Sequence, residues 1–269
     1  MMRAMILLLA LAAVSAASAA ERDYTEAMAR EHAGDVPVAA AAAGPETVSV
    51  QHELVDYGPA RGYLARPDGE PRAGLIVIHE WWGLNDNIRE MTRRLAEAGY
   101  LALAVDLYEG EVAGEADEAR QLMSALMASP DRADLHLRSA YQWLKDEGGM
   151  ARVGSLGWCL GGALSLRAAM MLPEELDAAV IYYGRVETDP ARLAPIMMPV
   201  LGIFGSRDRG IPMDSVRAFE TALQALGKTH QIVVYDADHA FANPSGTRYD
   251  PVAAAEAWQV TLAFLAEHL

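Results

Sequence analysis

Hydrophobic and polar positions follow two alternating spacings along most of the chain. Predominantly apolar segments recur and predict strands, and the continuous apolar run GLIVIH is typical of a strand buried on both faces. The segments are GLIVIH (74–79), YLALAVDLY (100–108), RVGSLGW (152–158), LDAAVIYYG (176–184), MPVLGIFG (198–205) and QIVVYD (231–236). Between them the apolar residues keep helical spacing, as Ile88, Met91 and Leu95 do before a stop at Gly99. The pattern therefore predicts strands that alternate with helices.

The helical segments can be placed by the same spacing. The predicted helices cover 85–99, with Asn85 or Asp86 as the cap, then 115–128, 131–147, Leu160–Met171, 214–227 and Pro251–His268, and a short helix covers Tyr24–Glu31. Two further stretches, 47–57 and 61–67, predict an antiparallel pair of strands at the start. Alternating strands and helices predict an α/β fold with a mostly parallel sheet covered on both faces. Right-handed crossovers then bring the carboxyl ends of the strands to one edge, where sites form.

The first twenty residues, MMRAMILLLALAAVSAASAA, do not fit this pattern. One arginine precedes a short apolar stretch, and small residues follow it, which is the composition of a cleaved secretory signal. We therefore predict a signal peptide over 1–20 and an exported, periplasmic protein without stable membrane association. The alternative is an uncleaved N-terminal anchor. Residues 21–45, which include an alanine run, predict an N-terminal extension or linker before a domain over 46–269.

Composition narrows the class of function. The 269 residues carry a formal net charge of −15 and are 52% hydrophobic, as expected of an ordinary globular protein. The sequence contains no Lys/Arg cluster that could neutralise a phosphate backbone, so we expect no nucleic-acid partner. Cys159 is the sole cysteine. It cannot form an internal disulfide, and it is either an inert buried thiol or a thiol kept for its chemistry.

The residues around Cys159 favour a reactive thiol over an inert buried one. Gly157 and Gly161 flank it in the pattern G-x-nucleophile-x-G, after an apolar strand and before a helix. Such a turn lifts the nucleophile above the sheet edge. The helix N-terminus beneath it stabilises negative charge on a thiolate or an oxyanion.

A nucleophile of this kind needs a base and a residue that orients the base. Asp208 follows the strand at 198–205, and His239 follows the strand at 231–236. The order nucleophile, acid, base along the chain is that of α/β-hydrolases. Asp208 could instead be a turn residue and His239 a locally bonded loop histidine, but their joint placement favours a Cys-His-Asp triad.

At this point the chain resembles the dienelactone hydrolase family. The matching stretches are VIHEWWGLNDNIREMTRRLAEAGYLALAVDLY, GWCLGGALSL, IYYG, GSRDRGIP and DHAFAN, and they are spread over most of 46–269. The resemblance implies an α/β-hydrolase fold and a small ester or lactone as substrate. It also implies that Cys159, His239 and Asp208 are catalytic.

The resemblance assigns three further residues. Glu80 in IHEWWG matches a family glutamate that contacts the thiol and takes part in its activation. The backbone N–H groups of Leu160 and Trp81 match the oxyanion hole. We expect no cofactor and no metal, since His79-Glu80 lacks a second histidine at helical spacing. A monomer is favoured.

Two departures concern the substrate. Family members that open dienelactone hold its carboxylate with arginines, and this chain has Asn243 and Ala116 at the matching positions. Arg120, Arg185 and Arg207 are the candidate replacements. Two other functions stay open. They are a non-catalytic redox-sensing or binding protein on the same fold, and a cysteine-dependent acyltransferase or peptidase.

Overall fold

The structure is a computed structural model that describes residues 24–32, residue 35 and residues 50–269. The predicted signal peptide and most of the predicted linker lie outside the described residues. Within the described part of the chain, no helix is both long and apolar enough to cross a bilayer.

Eight strands form one sheet. They are β1 (Gln51–Asp56), β2 (Arg61–Arg66), β3 (Gly74–Ile78), β4 (Leu101–Val105), β5 (Val153–Trp158), β6 (Ala178–Tyr182), β7 (Val200–Gly205) and β8 (His230–Tyr235). Their order across the sheet is β1-β2-β4-β3-β5-β6-β7-β8. β1 and β2 pair antiparallel, β2 pairs antiparallel with β4, and all other pairs are parallel. The predicted α/β fold with a mostly parallel sheet is confirmed.

The helices occupy the crossovers between strands. They are α1 (24–31), α2 (Asp86–Glu97), α3 (Ala116–Met127), α4 (Pro130–Asp146), α5 (Leu160–Met171), α6 (Pro190–Leu193), α7 (Met213–Ala225) and α8 (Pro251–His268). Each predicted helix is present within a few residues of its predicted bounds. Of the two cap candidates for α2, Asn85 is the cap, since its side chain accepts the N–H of Ile88 at 3.2 Å.

The sheet is covered on both faces. Every residue of the central strands β3, β4, β5, β6 and β7 is buried, as the continuous apolar run predicts for β3. α2 and α8 are neighbours, joined by the Arg94 guanidinium 4.4 Å from the Trp258 ring centroid. α4 and α5 are neighbours too, joined by an ion pair between Asp134 and Arg167. The two helix pairs leave the carboxyl edge of the sheet free for the loops that follow the strands.

Two features differ from the sequence prediction. Helix α6 was not predicted, because it spans a single turn; Asp189 caps it by accepting the N–H of Ala191 at 2.9 Å, and Pro190 opens it. The short helix α1 has the predicted bounds, and its packing against the domain was not predicted. Met28 on this helix is fully buried in the same core as the sheet.

Candidate active site

Cys159 sits in a strained turn between β5 and α5. Its backbone has φ +55° and ψ −116°, a conformation that costs energy for a residue with a side chain. A Cβ at Gly157 would collide with the backbone of Gly161, and one at Gly161 would collide with the carbonyl of Ile78. The glycines on either side of Cys159 are therefore required for α5 to start directly against the ends of β5 and β3. The arrangement matches the predicted nucleophile elbow.

His239 and Asp208 form a buried pair. Nδ1 of His239 lies 2.7 Å from Oδ2 of Asp208, and both side chains are almost completely inaccessible. The other carboxylate oxygen, Oδ1, accepts the N–H groups of Gly210 and Ile211, both at 2.8 Å. These bonds hold the carboxylate of Asp208 in place, and the carboxylate in turn orients the imidazole of His239. The other ring nitrogen, Nε2, has no hydrogen-bond partner among the described residues.

The electrostatics of His239 suit a base beside a thiol. A ring nitrogen of His239 and Sγ of Cys159 lie within 4.8 Å of each other. Burial alone would lower the pKa of the imidazole, but the charges of Asp208 and of ionised Cys159 outweigh burial and raise the pKa of His239 to about 10. A proton taken from the thiol would therefore be held on His239.

Glu80 is buried at the end of β3. Burial raises the pKa of Glu80 to about 7, although the charge of His239 and a hydrogen bond from Asn243 pull it down. Nδ2 of Asn243 donates to Oε2 of Glu80, and Oδ1 of Asn243 accepts from the side chain and the N–H of Ser245. Asn243 thus holds the glutamate where the resemblance implies an arginine. Among the described residues, no hydrogen bond joins Glu80 to Cys159.

His79 fixes the backbone of Glu80. Its Nδ1 lies 2.5 Å from the carbonyl oxygen of Glu80, and its Nε2 accepts the N–H of Leu107 at 3.2 Å. Because the carbonyl can only accept, Nδ1 carries the proton. In the sequence, His79 stands out only as part of an incomplete zinc motif. Its hydrogen bonds to the backbone of Glu80 and Leu107 were not predicted.

Leu160 and Trp81 are the residues whose backbone N–H groups the resemblance implies for an oxyanion hole, and they lie at the start of α5 and after the end of β3. Leu160 opens α5, and the N–H groups of a first helical turn have no partner within the helix. Trp81 follows Glu80 in the turn after β3, and the Tyr108 hydroxyl donates to its carbonyl at 3.1 Å. α5 begins against the end of β3, since a Cβ at Gly161 would meet the carbonyls of Ile78 and His79.

Residues 24–32 and Asp35, which we call the cover segment, close this site. The Met28 sulfur lies 3.8 Å from Sγ of Cys159, and Cys159 is 0% exposed. The His32 ring packs 4.5 Å from the Trp81 ring and 5.2 Å from the His239 ring, measured between centroids. No signal in the sequence joined these residues to the site, because more than a hundred residues separate them from Cys159.

Arg248 links the cover segment to the loop that carries His239. Its Nε donates to the carbonyl of His239 at 3.0 Å, and its Nη1 donates to the carbonyl of Glu31. Its Nη2 lies 2.7 Å from the carboxylate of Asp35. Asp35 also accepts a bond from Thr247 at 2.9 Å. Loop and segment are therefore held together by charge-assisted hydrogen bonds.

The candidate anion-binding arginines lie apart from the triad. Arg207 pairs with Asp236 at 3.0 Å and with Asp238 at 3.4 Å. Arg120 is exposed and pairs with Asp117 on its own helix. Arg185 lies over the ring of Tyr24, beside a cavity of about 320 Å³. None of these arginines contacts Cys159 among the described residues.

The fold and the site together define a class of enzyme. A nucleophile elbow on a mostly parallel sheet, with a histidine–aspartate pair at the neighbouring strand ends, is the arrangement of α/β-hydrolases. The dienelactone hydrolase family matches residues 60–269. The chain belongs to this family and is a hydrolase of the carboxylic ester class.

Relatives and solved structures agree with this assignment. "Protein usf" of Aquifex pyrophilus is 35% identical over 218 residues, which cover 78% of this chain and 94% of that protein. A "Putative carboxymethylenebutenolidase" of Escherichia coli K12 is 35% identical, with 77% of this chain and 82% of that protein covered. The crystal structure of a "Putative Dienelactone Hydrolase" from Klebsiella pneumoniae superposes with a TM-score of 0.71 at 31% identity, covering 81% of this chain and 99% of that chain.

Proposed function

We propose that this protein hydrolyses a small carboxylic ester or lactone through a Cys159–His239–Asp208 triad and a thioester intermediate. The observation that carries the proposal is the strained placement of Cys159 beside a His239 ring that Asp208 holds at 2.7 Å. A buried inert cysteine needs neither the backbone strain nor the oriented histidine.

The steps follow from the positions of these groups. His239 takes the thiol proton through Nε2, and the sulfur of Cys159 attacks the carbonyl carbon. The N–H groups of Leu160 and Trp81 hold the oxyanion, which is usually a large contribution to the rate. The alkoxide leaves with the proton from His239. Water, deprotonated by His239, then attacks the thioester, and the thiol regains its proton as the acid is released.

Glu80 has a distinct role in this scheme. A carboxylate next to a thiol disfavours the thiolate by like-charge repulsion, so Glu80 would favour the neutral thiol once it reaches Cys159 in the open site. A neutral thiol is the form that resists oxidation. Glu80 is bonded to Asn243 in the closed site, and we propose that it acts on the thiol once the cover segment has moved.

Substrate entry requires that movement. Met28 occupies the space directly next to Sγ, where an acyl carbon would have to lie. When the cover segment leaves, the indoles of Trp81 and Trp82 are uncovered on the His32 side. Their presence favours an apolar or aromatic acyl group. Dienelactone, which is anionic, is less well matched, because Asn243 carries no charge that would pair with its carboxylate.

The experiment compares the wild type with Cys159→Ala. Both proteins are assayed, reduced, against dienelactone and against an aryl acetate, and intact mass spectrometry records any acyl adduct. We expect the wild type to turn over at least the aryl acetate, Cys159→Ala to be inactive, and an acyl group to appear on the wild type alone.

Two results contradict the proposal. If Cys159→Ala retains the esterase rate, the thiol is not the nucleophile. If the wild type neither hydrolyses the esters nor forms an adduct, even after the cover segment is loosened by Asp35→Ala, the thiol serves redox sensing or binding instead.

We also propose that the protein acts outside the cytosol after removal of about twenty residues. The support is the basic, apolar and small-residue order of 1–20. Fractionation of the expressing cells and N-terminal sequencing test this proposal. A mature start near Glu21 in the periplasmic fraction is the expected result, and a cytosolic protein that starts at Met1 contradicts it.

A further inference from the structure

Four side chains with metal-binding atoms converge under the cover segment. One ligating atom from each of His32, Cys159 and His239 lies within 4.8 Å of the other two, and all three residues are buried. Sγ of Cys159 also lies 3.8 Å from the thioether sulfur of Met28. Two of these residues come from the cover segment and two from the triad, so the set exists only when the site is closed.

Both imidazoles are oriented in the way that metal-ligating histidines usually are. Nδ1 of His239 faces the carboxylate of Asp208 at 2.7 Å, and Nδ1 of His32 faces the carboxylate of Asp35 at 2.9 Å. Asp208 can only accept, so Nδ1 of His239 carries a proton. Nδ1 of His32 lies between the carboxylate of Asp35 at 2.9 Å and Nη2 of Arg248, a donor, at 3.0 Å. An ion can bind Nε2 of each ring only in the tautomer that has its proton on Nδ1, so a proton on either Nε2 has to leave as the ion binds. A carboxylate behind the histidine, on the side away from the ion, fixes the tautomer and raises the basicity of the ligand.

The two Nε2 atoms lack partners. Nε2 of His32 and Nε2 of His239 are both buried and accept no hydrogen bond from the described residues. A buried polar atom without a partner is uncommon and costs free energy. The two rings that carry these atoms lie beside one thiol and one thioether.

We propose that His32, His239, Cys159 and Met28 bind one thiophilic d¹⁰ cation, Cu(I) or Zn(II), which seals the cover segment over the thiol. Imidazole and thiolate ligands suit both ions, and the thioether favours Cu(I). Bond lengths of about 2.0–2.3 Å require these donors to approach one another by roughly 1 Å. The thiol proton is released to solvent as the sulfur–metal bond forms.

The consequence is a site with two exclusive states. With the ion bound, the sulfur and Nε2 of His239 are both occupied, and the segment that carries Met28 and His32 is bonded to the triad. With the ion removed, the packing of Met28 and His32 and the hydrogen bonds and ion pair of Arg248 hold the segment. This inference does not depend on ester hydrolysis, because it concerns the ligand atoms alone.

The experiment uses the full chain, reduced and stripped of metal by a chelator under anaerobic conditions. Zn(II), and separately Cu(I) held by a competing chelator, are titrated in, and the bound ion is counted by mass spectrometry after desalting. Co(II) serves as a spectroscopic probe, since a thiolate ligand gives it a charge-transfer band in the near ultraviolet. We expect one ion per chain for Zn(II) or Cu(I) and a charge-transfer band with Co(II) that Cys159→Ser abolishes.

Variants of the cover segment provide the decisive test. His32→Ala should weaken binding at least tenfold, whereas the exposed His52→Ala should bind as the wild type does. Met28→Leu should weaken Cu(I) more than Zn(II). Circular dichroism of each variant checks folding. The proposal is overturned if neither Zn(II) nor Cu(I) binds, or if folded His32→Ala binds as tightly as the wild type. Esterase activity of the metal-free wild type is measured separately, so that failure of the hydrolase proposal is distinguishable.

Discussion

The sulfur atoms of Met28 and Cys159 lie 3.8 Å apart although 131 residues separate them in the chain. This contact places the thioether of Met28 directly against the sulfur of the proposed nucleophile. The closed site, the hydrogen bonds that keep it closed and the chemistry expected when it opens can each be tested.

Loosening the cover segment should expose the thiol. Asp35 accepts bonds from Arg248, Thr247 and His32, and Asp35→Ala removes all three. Charge-assisted bonds are worth about 1.5–3 kcal/mol, so the open state should become about tenfold more populated or more. The rate of alkylation of Cys159 by iodoacetamide should rise in proportion. Asp68→Ala, at an exposed turn, is the control, and an equal rate in both variants would show that the segment does not protect the thiol.

The orientation of the imidazole should be essential to catalysis. Asp208→Asn keeps the shape but replaces an acceptor by a group that can donate to Nδ1, which favours the wrong tautomer of His239. Loss of this kind of carboxylate costs roughly a thousandfold or more in kcat. Steady-state kinetics with an aryl acetate measure it. Asp236→Asn, on an exposed carboxylate nearby, should change kcat little; if both variants lose the same activity, the orienting role of Asp208 is wrong.

Glu80 should make the fold less stable as the pH rises. Its pKa is about 7 in the folded chain against an ordinary value of 4.5, so the folded state binds the proton more tightly. The free energy of unfolding therefore falls as the pH increases through the window from 4.5 to 7, by about 3 kcal/mol at most. Glu80→Gln should not show this fall in the free energy of unfolding, because glutamine does not titrate.

Urea unfolding of the wild type and Glu80→Gln at pH 5 and pH 8 checks the sign. We expect the variant to gain about 2 kcal/mol relative to the wild type between these two pH values. Glu70→Gln, at an exposed position, corrects for general effects of pH. A difference that shrinks with rising pH would mean that Glu80 is ionised more easily in the folded chain than in the unfolded one.

The elbow should not tolerate a side chain at Gly157. A Cβ there meets the backbone of Gly161, which cannot move without shifting α5. We expect Gly157→Ala to lower the free energy of unfolding by about 3 kcal/mol or more, or to prevent folding. Gly69→Ala, where a Cβ meets nothing within 4 Å, should change stability little. A Gly157→Ala protein as stable as the wild type would show that the turn can relax.

The core of the fold was predictable because its signals are local. β3 is an unbroken apolar run and β5 is interrupted only by Ser155 and its glycines, so both are recognisable as buried parallel strands. Cys159 and its flanking glycines predict the strand–turn–helix geometry of a nucleophile elbow. Helix α6 was missed because four residues cannot display a period.

The site was predictable only in part. Asp208 and His239 could be paired because strand order places their loops at one edge. The contact of Met28 with Cys159 and the tie from Arg248 to Asp35 depend on where a distant segment docks, and hydrophobic spacing carries no information about docking. For the same reason, no sequence motif predicts the proposed metal site, because two of its ligands lie in residues 28–32 and the other two are Cys159 and His239.

The docked segment also sets how tightly any substrate or inhibitor can bind. A ligand that enters only when Met28 has left binds the open fraction of the molecules, and its apparent dissociation constant is the intrinsic one divided by that fraction. If one molecule in about a hundred is open, affinity falls about a hundredfold. Poor affinity of small esters would then measure the closure of the site rather than a mismatch with the pocket, and large substrates that also displace His32 from Trp81 would gain the advantage.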